Sequence, residues 1–151
     1  MRDLVIFGTG QIAEVAHYYF TQDAGRSVKA FVVDAEFVTS DTVLGVPVVS
    51  FDTFLKDFPP ETCEIFVAMS FKKMNKLRMQ KVAEIEELGY TLASFVHTRA
   101  TVWVGFKVQP NTFIMENNVI QPFVTIGKNV IVWSGNHVGH HTHISDHCFI
   151  S

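Results

Sequence analysis

The sequence predicts a small parallel α/β sheet followed by a β-solenoid, on three observations. Short β-branched or aromatic runs alternate with helix-like stretches up to about residue 95, and a glycine-rich turn joins the first run to the first helix. Beyond residue 100 a branched aliphatic returns at every sixth position. The alternation is βαβ grammar. A period of six fits neither a 3.6-residue helix nor an array of hairpins, but it fits a coil with three short faces, each one hexapeptide long.

Leu4–Phe7 is the first strand, and the helix from about Gln11 to Phe20 follows it directly. Lys29–Asp34, a helix near Phe51–Phe58 and the strand Ile65–Met69 come next. A long helix spans about Lys73 to Leu88, with Leu77, Val82, Ile85 and Leu88 apolar among charges and Gly89 as its stop. Thr91–Val96 completes the sheet, so a first domain covers residues 1–96 and the solenoid 97–151.

In the solenoid half Val102, Val108, Ile114, Ile120, Ile126, Val132, Val138, Ile144 and Ile150 are the inward aliphatics. Four residues after each lies a second inward position, held by Phe106, Thr112, Asn118, Val124, Val130, Asn136, Thr142 and Cys148. Three hexads make a coil of eighteen residues, which places Asn118 directly below Asn136. Stacked asparagines one strand spacing apart satisfy each other's hydrogen bonds, so an amide ladder is expected.

With 151 residues, 48% of them hydrophobic and 18% charged, the chain can fill a core and is not disordered. A net charge of −3 with scattered Lys and Arg gives no footprint for nucleic acid and no basic patch for a membrane surface. No apolar run approaches the roughly 18 residues of a bilayer span, and no signal peptide is recognisable, so a cytoplasmic protein is expected. Cys63 and Cys148 share no pattern and read as buried thiols.

Gly8-Thr9-Gly10-Gln11-Ile12-Ala13 is a GxGxxA that ends a strand and opens a helix. Such glycines permit a tight turn and close approach of a phosphate, which the helix N-terminus then stabilises, so Gly8, Gly10 and Gln11 are candidate ligands of a nucleotide pyrophosphate. Asp34 closes the second strand where a dinucleotide fold carries its ribose acid. The competing readings are close helix packing for the glycines and a turn or cap role for Asp34. Arg78 either reaches the ligand or sits on a solvated helix face.

Five of seven histidines fall at 137, 140, 141, 143 and 147. None occupies an inward position, so they face outward, where an imidazole titrating near neutrality can act as a general base. Their spacings match no zinc signature, and no metal is expected. Polar contacts between subunits would account for several of them.

Taken together, Leu4–Ala13, Phe31-Val32-Val33-Asp34, the hexapeptides and Gly135-Asn136-His137-Val138-Gly139-His140-His141 resemble the sugar O-acyltransferase family of the sialic acid O-acetyltransferase type, which includes amino-sugar N-acetyltransferases of bacillosamine biosynthesis. The resemblance implies a Rossmann-like domain binding a nucleotide-activated sugar and a left-handed parallel β-helix that trimerises and binds acetyl-CoA between subunits. It carries the general base to His140 and places His137 and His141 near the acyl-CoA. Related enzymes have an acidic residue after the base where this chain has His141, which leaves the group that orients His140 open, with Asp146 as the candidate. The family continues for several coils, whereas this sequence stops at Ser151 within a hexad, so a shortened chain is expected. Acetyl transfer to an amine or hydroxyl of a nucleotide-linked sugar is the preferred function. A non-catalytic binding and oligomerisation module is the alternative, and a nicotinamide oxidoreductase is disfavoured by the hexapeptides.

Overall fold

In a computed structural model describing residues 1–151, β1 (Asp3–Phe7) lies inside a six-stranded sheet. The chain continues through α1 (Gln11–Gln22), β2 (Val28–Val33), β3 (Thr42–Val43), β4 (Val46–Ser50), α2 (Phe51–Asp57), β5 (Cys63–Val67), α3 (Lys76–Glu87) and β6 (Thr91–Leu92). Strand order is β3-β4-β2-β1-β5-β6, parallel throughout except for the β3-β4 hairpin. That hairpin turns on Leu44 and Gly45, both at positive φ (50° and 75°). The chain steps outward from β1 to β2 and β4 on one side and to β5 and β6 on the other.

Both faces of the sheet are covered, which is why its central strands carry consecutive buried apolar residues, Leu4–Phe7, Ala30–Val33 and Ile65–Val67, rather than alternating ones. Leu4 and Ile6 point into a core shared with Ala13, Ala16 and Phe20 of α1. Val5 and Phe7 point the other way, against Phe51 and Phe54 of α2 and Val82 and Ile85 of α3.

The solenoid strands are β7 (Phe95–Val96), β8 (Thr101–Val102), β9 (Phe113–Ile114), β10 (Val119–Ile120), β11 (Thr125–Ile126), β12 (Ile131–Val132), β13 (His137–Val138), β14 (His143–Ile144) and β15 (Phe149–Ile150). They form three parallel stacks, β7-β9-β12-β15, β8-β10-β13 and β11-β14. Pairings such as Phe113↔Ile131 and Val119↔His137 join residues eighteen apart, one coil of three hexads. From residue 111 on, each turn carries one left-handed residue at strict six-residue spacing: Asn111, Asn117, Phe123, Asn129, Gly135, His141 and His147. Asn and Gly accept that conformation readily and His is tolerated, whereas Phe123 is an outlier for its bulk.

The β7-β9-β12-β15 face turns Phe95, Phe113, Ile131 and Phe149 outward, and these apolar side chains pack on α1 and on Phe66 of the sheet. The solenoid is thereby docked on the sheet by one whole face of its prism. Met115 and Trp133 extend the contact.

Several expectations are corrected. The segment Thr91–Val96 is not one strand: Ala93 N–H donates to Ile65 while Phe95 N–H donates to Thr112, so the ladder changes partner within it. The long helix begins at Lys76, because Lys73, Met74 and Asn75 are all left-handed (φ 50°, 53° and 65°) and cannot join a right-handed helix. Val108 lies in no strand and is 41% exposed, so the first coil is open on its second face. Thr142 is exposed, and Cys148 is half-buried rather than buried. Asn118 is buried below Asn136, as the eighteen-residue coil requires, but its Oδ1 accepts the backbone N–H of Asn136 at 2.9 Å rather than a side-chain amide. The amide of Asn118 donates to Met115 and Trp133 carbonyls.

Candidate functional site

A cleft of about 1180 Å³ opens at the carboxyl ends of β1, β2 and β5. This is the point where the sheet order reverses, the usual ligand crevice of open parallel sheets. Its floor is the turn from Phe7 to Gln11, one wall is Val33, Asp34 and Phe37, and another is Ala68 to Lys72. Trp133 and Phe149 of the solenoid close the fourth side.

The two glycines of the turn have different physical reasons. Gly8 sits at φ +119°, and a Cβ there would lie 2.6 Å from the Ala68 carbonyl oxygen, so its role is the close passage of two backbones. Gly10 is at φ −83° with nothing within 4 Å of where a Cβ would stand, so backbone geometry does not demand glycine there. What its missing side chain leaves open is the mouth of the cleft. Gly10 is also the N-cap of α1 and no side chain caps it, so the first N–H groups of the helix, including that of the exposed Gln11, are free of intrahelical partners.

Asp34 lines the cleft and is ion-paired, with Oδ1 accepting from Lys81 Nζ at 3.1 Å. Lys81 is held over the rings of Phe7 and Phe51 at 4.8 and 4.5 Å.

Arg78 is neither on a solvated face nor in the cleft. It is fully buried. Its Nε donates to Asn129 Oδ1 at 2.9 Å, and its Nη atoms donate to the carbonyls of Met69, Asn129 and Cys148 at 3.1–3.2 Å. Burial lowers its pKa to about 10. Asn129 continues the junction, since its Oδ1 also accepts from Asn111, whose amide pairs with both backbone groups of Val67.

The histidines lie apart from the cleft, and none lines it. His137, His140, His141 and His143 are exposed, as the register requires. His140 and His141 form the turn between β13 and β14, with their Nδ1 atoms 3.0 Å apart. The His140 backbone N–H donates to Gln121 Oε1 at 2.9 Å. His143 Nδ1 is 2.6 Å from Thr125 Oγ1. His147 is half-buried with Nδ1 2.9 Å from the Asn129 amide, and burial lowers its pKa. Asp146 is not brought to His140: its carboxylate accepts the Lys128 N–H at 2.9 Å and serves the turn one coil below. No three His, Cys, Asp or Glu side chains converge as a metal-binding set.

The model of the bacterial transferase hexapeptide repeat, six repeats long, matches residues 107–140. The chain carries this repeat. A search of curated proteins finds no match. Among solved structures it is similar to a variant of perosamine N-acetyltransferase from Caulobacter crescentus in complex with CoA and GDP-perosamine, at 26% identity and TM-score 0.85 over 99% of this chain and 68% of that one. It is similar to the acetyltransferase domain of PglB from Neisseria gonorrhoeae in complex with acetyl coenzyme A, at 25% identity and TM-score 0.79 over 95% and 67%. WeeI from Acinetobacter baumannii shares the fold at 17% identity and TM-score 0.83, over 99% and 69%. The resemblance to left-handed β-helix sugar acyltransferases, read from the motifs, therefore holds. No helix is long and apolar enough to cross a membrane.

Sequence reasoning missed the far wall of the cleft, Met69 to Lys72, together with Trp133 and Phe149. The signal was present: residues just after a strand beside the switch point belong to the crevice. The outward hexad positions 113, 131 and 149 are also apolar at eighteen-residue spacing, which marks a docked face.

Proposed function

We infer that the protein transfers an acetyl group from acetyl-CoA to an amine or hydroxyl of a nucleotide-linked sugar, with His140 as general base. The observation that carries this reading is the cleft at the switch point, where a glycine turn and an uncapped helix N-terminus face an open volume. A pyrophosphate is the ligand such a terminus favours. The Rossmann-like domain, residues 1–96, holds the nucleotide through Gly8, Gly10 and Gln11. Asp34 Oδ2, not engaged by Lys81, accepts from a ribose hydroxyl.

In the reaction the sugar amine or hydroxyl attacks the thioester carbonyl while His140 Nε2 takes its proton. The tetrahedral oxyanion collapses, the C–S bond breaks, and the imidazolium returns the proton to the departing thiolate. No covalent enzyme intermediate is required. His137 and His141 flank the acyl-CoA.

The face that docks on the sheet domain is β7-β9-β12-β15, and His140 lies at the opposite corner of the prism, between β13 and β14. A sugar bound in a chain's own cleft is separated from its own His140 by the solenoid. This supports assembly of the site between subunits, with a trimer around the β-helix.

The test is acetyl transfer from acetyl-CoA to a panel of nucleotide sugars, beside calorimetry for the sugar alone. His140→Ala should lower turnover roughly 10²–10⁴-fold, the usual contribution of a general base, with sugar affinity near wild type. His143→Ala should do much less. Binding without transfer in the unaltered protein would instead identify a non-catalytic binding module.

A further inference from the structure

We propose that His141 is the positioning residue of His140, accepting its Nδ1–H and so presenting a bare Nε2 to substrate. The inference rests on the reading of His140 as the base, and its observations are geometric. Two imidazole nitrogens 3.0 Å apart need one proton between them, since two bare lone pairs or two N–H groups would repel. Nδ1 of His140 is turned toward His141, so Nε2 is the ring nitrogen left for a substrate proton. A base needs that nitrogen unprotonated, which puts the shared proton on His140 Nδ1 and makes His141 the acceptor.

His141 is built to hold its ring still. It occupies the left-handed turn position at φ 62°, and its N–H donates to the Pro122 carbonyl at 3.2 Å. Its ring packs on Phe123 with centroids 4.8 Å apart, and Phe123 packs on Trp103 at 5.6 Å. Trp103 is anchored by its Nε1–H to the Val124 carbonyl at 3.3 Å. The ring of His140 has no such support: its contact is the edge-on one with His141, centroids 5.2 Å apart at 88°. An aromatic column therefore holds His141, and His141 holds the base.

Nitrogen-15 spectroscopy of the neutral imidazoles in the 151-residue protein tests this without turnover. His140 is expected as the Nδ1–H tautomer, whereas a solvated histidine favours Nε2–H. His141→Gly keeps the positive-φ turn and removes the ring, so His140 should revert to Nε2–H. His141→Asn suits the turn and places an amide oxygen near the lost Nδ1, so the Nδ1–H form should be retained. In turnover, His141→Gly should lower kcat roughly tenfold or more with KM for the sugar unchanged, and His141→Asn should recover most of it. An Nε2–H tautomer on His140 in the unaltered protein, or one unmoved by His141→Gly, overturns the proposal. If the tautomer behaves as expected but His140→Ala turns over normally, the base assignment fails while the ring coupling stands.

Discussion

Arg78 Nε donates to Asn129 Oδ1 at 2.9 Å, and this contact ties α3 of the sheet domain to a left-handed turn of the solenoid. The guanidinium has no carboxylate partner and is compensated by carbonyls and an amide, which its planar fork reaches in several directions. Arg78→Met removes donors from four acceptors, of which Asn129 Oδ1 keeps the Asn111 amide and the Cys148 carbonyl keeps the Ile131 N–H while the Met69 and Asn129 carbonyls lose theirs, and it should cost about 2–4 kcal/mol in denaturant unfolding. Arg78→Lys should not restore the loss, because one ammonium cannot meet acceptors on three segments. Nucleotide-sugar affinity of the folded protein should stay near wild type; a large loss at unchanged stability would return Arg78 to the binding site.

Arg78 also shows where sequence reading stops. Its helix was legible from Leu77, Val82, Ile85 and Leu88, yet no one-dimensional pattern says that the solenoid covers the polar flank. The solenoid register was legible because every hexad repeats one inward environment, and the glycine turn because it adjoins a strand and a helix. The cleft's third and fourth walls were not, since Phe71 and Trp133 come to line one cleft only after Phe113, Ile131 and Phe149 dock on the sheet. The left-handed turn residues explain why two of the histidines, His141 and His147, stand where they do.

The glycine turn makes a paired prediction. Gly8→Ala places a methyl against the Ala68 carbonyl at an unfavourable φ, so it should destabilise the fold by about 2–4 kcal/mol. Gly10→Ala meets open space at an ordinary φ and should change stability by less than about 1 kcal/mol. Calorimetry on Gly10→Trp should show nucleotide-sugar binding abolished in a folded protein. Unchanged affinity would leave the turn with a packing role alone.

Stability should fall in mild acid through His147. Burial lowers its folded pKa below the ordinary 6.5, so between those values the unfolded chain binds more protons and stability drops as pH falls through about 6.5. His17, also depressed by burial, adds to the same window. His147→Asn suits φ 64° and removes the titrating group, so its unfolding free energy should vary less between pH 7 and 5 than wild type. Glu116 acts lower. The Tyr19 hydroxyl, 2.5 Å away, holds its carboxyl below the usual range, so its contribution is lost only as pH falls through the carboxylate window. A variant with the wild-type slope from pH 7 to 5 would remove His147 as the cause.

With His140 as the proposed base, its separation from the cleft predicts complementation between chains. His140→Ala keeps an intact cleft, and Gly10→Trp keeps an intact base, so each alone should be inactive. If a site takes its cleft from one subunit and its base from a neighbour, random equal mixing gives half of the sites a good cleft and half of those a good base, so about a quarter of wild-type activity should return in co-refolded assemblies. Mixing without subunit exchange should return none, which separates assembly from residual activity of either variant. A co-assembled mixture as inactive as its parents would mean that His140 serves the cleft of its own chain, and that the corner between β13 and β14 must approach the sheet domain by a rearrangement of the docked face. That rearrangement would have to break the packing of Phe113 on Phe20 and Phe66, so stability and activity would then respond in opposite directions to Phe113→Leu.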